Sequence, residues 1–404
     1  MSDPGWANGS PGQDPVRGTQ PARRWRRWGI VGLVLCLVVA GYVVFRVTQQ
    51  GPSTGHHDVA AASPQPSAAG SPSTAGHQRT KGKAGKKSGK LRAGTGTRPG
   101  SGTRSGVLNG VLFGGDMPLA KVTSQLGRPL AILRTYYYLG QTFPTPANAR
   151  MMAGGTTMLV SLDTPAGGPT YASIAAGRQD RPILAFLTAV QQDAVRYKLG
   201  AIYFCFEHEA DDPTQHGGLG TPAQFIAAWD HIHALAEAHQ MDWQQGGRIH
   251  WVMILTHQAY ASGGAASFFP GLNEVDVIAA DGYNKGGCQI AREAGHLHFH
   301  NGVGTPLTPG SIFNPLLRFA AGMGGLPVFI AEWGSVPYAS PTVRPQFISQ
   351  MESYVAANHE IAAALYWDSN LTPCYYQVNG SPQSLAALTT MAKSALMQGW
   401  PTSN

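Results

Sequence analysis

The chain lacks the sequence features of several common protein classes. It has only 4 cysteines in 404 residues, and no two of them form a C-x-x-C pair. This excludes a disulfide scaffold and gives no support for a zinc ribbon or a thioredoxin-like redox pair. There is no G-x-G-x-x-G after the first predicted strand, no Walker A loop, no G-x-S-x-G and no H-E-x-x-H. The first two absences count against a doubly wound open sheet, and the last two count against serine esterases and zinc peptidases.

Acidic residues are scarce in the first 105 positions. This leader holds 15 of the 29 Lys and Arg residues but only three of the 22 acidic ones, Asp3, Asp14 and Asp58. From residue 106 to 404, 14 basic residues are outnumbered by 19 acidic ones. The formal charge of +7 therefore comes from the leader, and we expect no nucleic-acid partner. The acidic part is long enough to bury a large core.

Charge is absent from residues 29–45, GIVGLVLCLVVAGYVVF, and this run predicts one transmembrane helix over 29–46. Five Arg residues lie between 17 and 27, whereas only Arg46 lies in the first 20 residues that follow the run. The positive-inside rule therefore predicts a basic cytoplasmic tail at 1–28 and an extracellular globule on a cell-membrane anchor. A cleaved signal and a secreted protein are the alternative, but the run is longer than a typical signal core.

Large apolar residues are missing from the next segment, which we interpret as a disordered linker over 47–105. Between 51 and 105 there is no Phe, Trp, Tyr or Ile, so the segment cannot bury enough surface to order itself. Its stretch KGKAGKKSGK, Lys81 to Lys90, permits two interpretations. It is either a solvated tether or a contact with an anionic cell-wall polymer.

From residue 106 to 404, short apolar runs alternate with longer helical patterns such as Asp180 to Lys198 and Pro222 to His239, the latter with Thr221 as N-cap. The pattern predicts an α/β fold with buried parallel strands, a (β/α)8 TIM barrel, with a doubly wound open sheet as the alternative. The eight predicted strands are 110–115, 131–138, 157–163, 201–207, 249–256, 275–281, 327–332 and 362–368.

Two carboxylates follow the fourth and seventh predicted strands, in YFCFEHEADDP (203–213) and PVFIAEWGS (327–335). Together with IAAGRQD (174–180), AAW (227–229) and VDVIAADGYN (275–284), these segments resemble glycoside hydrolase family 26, the β-mannanase-type barrel hydrolases. The resemblance implies an endo-acting, retaining enzyme that cleaves a β-linked, mannan- or glucan-like polysaccharide without a cofactor. Cys205 and Phe206 replace the family's Arg-Pro pair, and ADDP replaces its Asn- and Trp-rich stretch, so a mannan substrate does not follow.

The resemblance implies that Glu209 is the acid/base and Glu332 the nucleophile. Like charge would keep Glu209 protonated, and we expect it from Glu207, Asp211, Asp212 and Glu332. A simpler alternative for each Glu is that it caps a helix or pairs with an Arg, and for the aromatic residues that they are core residues. The residues expected to bind substrate are His208, Tyr283, Trp333, Trp367, His257, Asp163 and Tyr136.

A second hypothesis for the whole chain is a non-catalytic carbohydrate-binding or cell-wall-associated barrel. The segment HLHFH, with His296, His298 and His300, lacks a carboxylate or Cys at ligand spacing, so we predict no metal site there. Cys288 and Cys374 follow the sixth and eighth predicted strands, where both a disulfide and free thiols stay open. We expect a monomer.

Overall fold

Eight parallel strands close into a barrel. The computed structural model describes residues 111–116, 124–286, 288, 290–293, 296–299, 302–369 and 374–399. The predicted cytoplasmic tail (1–28), transmembrane helix (29–46) and linker (47–105) lie outside these residues. Within them, no helix is long and apolar enough to cross a bilayer.

The barrel strands are β1 (Leu112–Gly115), β2 (Ile132–Tyr138), β3 (Thr157–Asp163), β4 (Ile202–Phe206), β5 (Ile249–Thr256), β6 (Val277–Asn284), β9 (Val328–Ser335) and β10 (Ile361–Tyr366). They hydrogen-bond in the closed order β1-β10-β9-β6-β5-β4-β3-β2, and every barrel pair is parallel. Because β1 pairs with both β2 and β10, the sheet has no open edge, which confirms the predicted barrel over the doubly wound alternative. A separate antiparallel hairpin consists of β7 (Ile290–Glu293) and β8 (His296–Phe299).

Helices alternate with most of the strands. They are α1 (Pro146–Ala153), α2 (Tyr171–Ala175), α3 (Asp180–Arg196), α4 (Pro213–His216), α5 (Pro222–Ala238), α6 (His257–Ser262), α7 (Pro309–Gly322), α8 (Val343–Ala357) and α9 (Pro382–Lys393). Short 3-10 helices span Trp243–Gln245, Gly264–Phe268 and Ala395–Met397. Thr221 and Gln224 form a capping box at the start of α5, and this explains why the predicted helix begins at Pro222.

Alternate residues of the strands divide between two apolar layers. In β9, Phe329 and Ala331 pack inside the barrel, whereas Val328 and Ile330 pack against the helices. This period of two is the usual consequence of strand geometry. The interior layer is apolar at the amino ends of the strands, and the polar side chains gather at the carboxyl ends.

Candidate active site

A cavity of about 890 Å³ opens at the carboxyl ends of the barrel strands. This volume lies in the usual range for a ligand pocket, and the position is the one at which barrel enzymes hold their active sites. Eight of the nine side chains predicted for the site line the cavity: Tyr136, Asp163, His208, Glu209, His257, Tyr283, Glu332 and Trp367.

The ninth residue, Trp333, lies elsewhere. It is fully buried and packs against Tyr366 and Phe347, with ring centroids 4.9 and 6.4 Å away. It belongs to the apolar layer between the strands and the helices rather than to the cavity. From this position its indole cannot contact a substrate in the cavity.

A β-bulge in β9 explains both placements. Ile330 pairs with Ala280 of β6, but the next pair joins Glu332 to Asp281, so β9 contains one extra residue at Ala331. Such a bulge shifts the alternation of side chains by one position. Glu332 therefore faces the cavity with Asp281, and Trp333 faces the helices.

Glu332 is buried and is contacted from three sides. The Tyr136 hydroxyl donates a hydrogen bond to Oε1 and the Tyr283 hydroxyl donates one to Oε2. Arg134 Nε lies 3.5 Å from Oε1. Burial raises the pKa of both tyrosines well above their usual value, so each stays a neutral donor. These contacts hold the carboxyl group of Glu332 in one orientation.

Glu209 lines the same cavity from a short turn after β4. Its backbone N–H donates to the Ile254 carbonyl at 2.9 Å, and Gln215 Nε2 donates to its Oε2. Burial, followed by the negative charge of Glu332, raises the pKa of Glu209 to about 7. The expected like-charge contribution thus comes from Glu332 among others, although burial is the larger cause. A carboxyl group with this pKa can hold a proton at neutral pH and release it during a reaction.

His208 is fixed by Asp163. Its Nδ1 lies 3.0 Å from both Asp163 carboxyl oxygens, and its backbone N–H donates to Asp163 Oδ1 at 3.2 Å. Burial alone would lower the pKa of His208, but the Asp163 carboxylate outweighs burial and raises it. The imidazole stacks at an angle to Tyr136, with ring centroids 5.2 Å apart. His208, which directly precedes Glu209 in the chain, therefore contacts Tyr136, and Tyr136 donates to Glu332.

Two more acids, Asp281 and Asp116, interact electrostatically with Glu332. Asp281 is 1% exposed, and neither of its carboxyl oxygens has a hydrogen-bond partner among the described residues. Burial, with the charge of Glu332, raises the pKa of Asp281 well above its usual value. Asp116 accepts the Asp368 backbone N–H at 2.8 Å, and burial raises the pKa of Asp116 to about 7. Glu332 is therefore surrounded by groups that tend to be protonated, which limits the negative charge around it.

Aromatic rings form one wall of the cavity. Tyr136 and Trp367 meet edge to face, with centroids 5.8 Å apart and an interplanar angle of 87°. Tyr376 lies beside Tyr283 at 4.9 Å. A disulfide joins Cys288 to Cys374, two residues before Tyr376, and thereby ties the loop after β6 to the loop after β10.

Sequence reasoning left several residues of the site unassigned. Arg134 contacts Glu332 but does not line the cavity, and its signal in the sequence is a charge inside the apolar run AILRTYYY. Gln215, Lys285 and Tyr376 line the cavity, but they lie on loops or a short helix whose fold has no sequence signature. Of the His-rich segment, the backbone of β8 is described and His300 is not; no cluster of His, Cys, Asp or Glu suited to a metal occurs in the described part of the chain.

The fold and the site define a barrel whose cavity is lined by one Glu after the fourth barrel strand and one Glu on the seventh. No family model and no curated protein matches the chain. Solved structures similar in fold include a GH26 β-mannanase from Bacteroides ovatus, with 13% identity, a TM-score of 0.51 and coverage of 73% of this chain and 92% of that chain. GH26C from a Muricauda species has 13% identity and a TM-score of 0.51, with coverage of 72% and 87%. The chain therefore has a fold similar to the GH26 barrels.

Proposed function

We propose that the protein is a retaining glycoside hydrolase with Glu332 as nucleophile and Glu209 as acid/base. One observation carries the proposal. Glu332 is held by two tyrosine hydroxyls and an arginine, while the pKa of Glu209, in the same cavity, is raised to about 7. Two carboxyl groups in such different environments are what acid-base glycoside cleavage requires.

In the first step, a Glu332 oxygen attacks the anomeric carbon. The glycosidic C–O bond breaks, and the proton of Glu209 passes to the departing oxygen, so that a glycosyl ester and a new hydroxyl group form. Tyr136 and Tyr283 hold the carboxylate in place before the attack. The hydrogen bond to the attacking oxygen weakens as that oxygen becomes part of the ester.

In the second step, Glu209 is ionised and takes a proton from water. The water oxygen attacks the anomeric carbon and the bond to Glu332 breaks, which restores both carboxyl groups and retains the β configuration. Gln215 donates to Glu209 Oε2 and helps to orient the carboxyl group. The two steps need no further acid or base.

The proposed substrate is a β-linked polysaccharide of mannan or glucan type. The flat faces of Trp367, Tyr136 and Tyr376 suit sugar rings, and the open cavity suits an internal segment of a chain, which supports endo action. The protein of similar fold from Bacteroides ovatus is a β-mannanase, which favours a related substrate here.

For the whole chain we propose a monomer anchored in the cell membrane through residues 29–46, with the barrel outside the cell. The support is the sequence pattern of residues 1–105, with arginines before the apolar run and a linker after it. If the anchor is cleaved, the same barrel is secreted. In that case the Lys-rich stretch of the linker, Lys81 to Lys90, would contact anionic cell-wall polymers.

A panel of β-mannan, β-glucan and xylan tests the proposal. We expect the wild-type protein to release reducing ends from at least one polymer, Glu332→Ala to release none, and Glu360→Ala, an exposed control, to match the wild type. ¹H NMR of the first product should show the β anomer. Binding without release across the panel would favour the non-catalytic barrel, and an α anomer as first product would exclude the retaining mechanism.

A further inference from the structure

A buried pair of ionisable groups, Glu207 and His216, lies directly behind the turn that carries Glu209. Glu207 is 1% exposed and His216 is 7% exposed, and neither lines the cavity. Glu207 Oε2 lies 3.0 Å from His216 Nδ1, an ion-pair contact whose N–H direction falls outside strict hydrogen-bond geometry. The other ring nitrogen of His216 lies 2.8 Å from the carbonyl oxygen of His208. Through His216, the pair therefore contacts the backbone of His208, the residue between Glu207 and Glu209.

This turn has an unusual backbone. Glu207 and Glu209 have φ values of +52° and +54°, a left-handed conformation that is unfavourable for a residue with a side chain. Such conformations persist only where surrounding contacts hold them. The backbone N–H of Glu209 is held by the carbonyl of Ile254. Glu207 is held through its Oε1, which accepts from the Thr164 backbone N–H at 2.7 Å and from the Thr164 hydroxyl.

The chemistry of the contacts requires a proton between Glu207 and His216. A carbonyl oxygen can only accept, so His216 Nε2 must carry a hydrogen and donate to His208. His216 Nδ1 and Glu207 Oε2 then face each other, and without a proton between them two lone pairs would be opposed in a buried site. Asp163, His208 and Tyr171 are the other titratable groups that act on the pair.

We propose that Glu207 and His216 are positioning residues that hold the carboxyl group of Glu209 in its catalytic orientation by fixing the backbone carbonyl of His208. The inference rests on the proposed function, because a positioned acid matters only if Glu209 acts as one. It assigns a role in catalysis to two residues that do not line the cavity. If the pair only stabilised the fold, its loss would lower the yield of folded protein but would leave proton donation by Glu209 unchanged.

The first test compares aryl β-glycosides that differ only in their leaving group. A phenol needs a proton from the acid, whereas 2,4-dinitrophenol leaves without one. For His216→Leu and Glu207→Gln we expect kcat/KM to fall about 100-fold on the phenyl glycoside and less than about 5-fold on the dinitrophenyl glycoside, in line with the usual contribution of a general acid. His231→Leu, whose imidazole pairs with Asp180 outside the cavity, should change neither. Equal losses on both substrates would overturn the proposal.

The second test needs no substrate. The ¹³C signal of the Glu209 carboxyl group, assigned with Glu209→Gln, is titrated in the wild type, in His216→Leu and in His231→Leu, with circular dichroism to confirm folding. We expect the titration midpoint to move by at least 0.5 pH unit in His216→Leu only. One full pH unit corresponds to about 1.36 kcal/mol, so this shift corresponds to roughly half of that free energy. An unchanged midpoint in folded His216→Leu would overturn the positioning role. If the wild type releases no reducing ends from any polymer of the panel, the proposed function fails, but this titration still decides whether the pair positions Glu209.

Discussion

Arg134 and Glu332 form a buried ion pair beneath the cavity, with 3.5 Å between Arg134 Nε and Glu332 Oε1. Arg134 Nη1 also donates to the Ser161 hydroxyl at 2.7 Å, which fixes the guanidinium between β2 and β3. A buried carboxylate of this kind depends on its partner, because removal of one charge leaves the other uncompensated.

Replacement of Arg134 by Met should therefore reduce both stability and activity. We expect the free energy of unfolding to fall by about 3–5 kcal/mol and kcat/KM on the active polymer to fall at least about 100-fold, because Glu332 loses its counter-ion. Urea denaturation and initial rates measure the two effects. Arg128→Met is the matched control, since Arg128 donates to carbonyls of Ala392 and Met397 away from the cavity. An active Arg134→Met variant would contradict the assigned role of the pair.

The raised pKa of Glu209 predicts an alkaline limit to activity. In the proposed mechanism Glu209 must be protonated in the free protein, so kcat/KM should be independent of pH well below the pKa of about 7 and should fall about tenfold per pH unit well above it. Part of this shift comes from the charge of Glu332, so Glu332→Gln should lower the pKa of Glu209. Carboxyl ¹³C titration of that inactive variant measures the change. A midpoint equal to or above that of the wild type would show that the two charges do not interact.

The two neighbouring tryptophans predict opposite phenotypes. Trp367 lines the cavity and meets Tyr136, so Trp367→Ala should raise KM about 10-fold or more while the protein stays folded. Trp333 is fully buried, so Trp333→Ala should lower the free energy of unfolding by about 3–5 kcal/mol. Trp333→Phe keeps most of the ring volume and should keep KM near the wild-type value. A large KM effect of Trp333→Phe would place that ring in the site after all.

The Cys288–Cys374 disulfide should stabilise the cavity rim. It closes a segment with a sequence separation of 86, for which chain-entropy reasoning gives about 4–5 kcal/mol, and measured values are often smaller. A Cys288→Ser/Cys374→Ser variant should unfold at lower urea concentration than the wild type and should bind oligosaccharide more weakly, because Tyr376 loses its tether. Dithiothreitol should reproduce the effect in the wild type and do nothing to the double variant. Cys205→Ala, which removes the buried free thiol, is the control.

The barrel could be predicted from the sequence because eight apolar runs alternate with helical patterns, and burial of strands on both faces leaves a strong signal. The position of the Trp333 side chain could not be predicted in this way. Simple alternation from Phe329 and Ala331 would turn Trp333 inward and Glu332 outward. The bulge at Ala331 reverses this, and no local sequence feature marks it. Its cause lies in the pairing of β9 with two neighbouring strands.

The surroundings of Glu209 could likewise be predicted only in part. Its position after the fourth strand follows from the sequence, as does the like charge that raises its pKa. Glu207 was expected to contribute to that charge, but its carboxylate turns away and pairs with His216, nine residues along the chain. The left-handed backbone at Glu207 and Glu209 determines these directions, and such angles are not encoded by residue type here.

Both ends of the described barrel meet on the face opposite the cavity. The backbone N–H of Val111 donates to the Leu396 carbonyl at 2.8 Å, and that of Gly399 donates to the Val111 carbonyl at 3.2 Å, at the amino end of β1. An affinity tag, a surface for immobilisation or a second protein can therefore be fused at either residue without covering the cavity. The same arrangement suits circular permutation, in which residues 111 and 399 are joined by a short peptide and new termini are opened in a loop on that face.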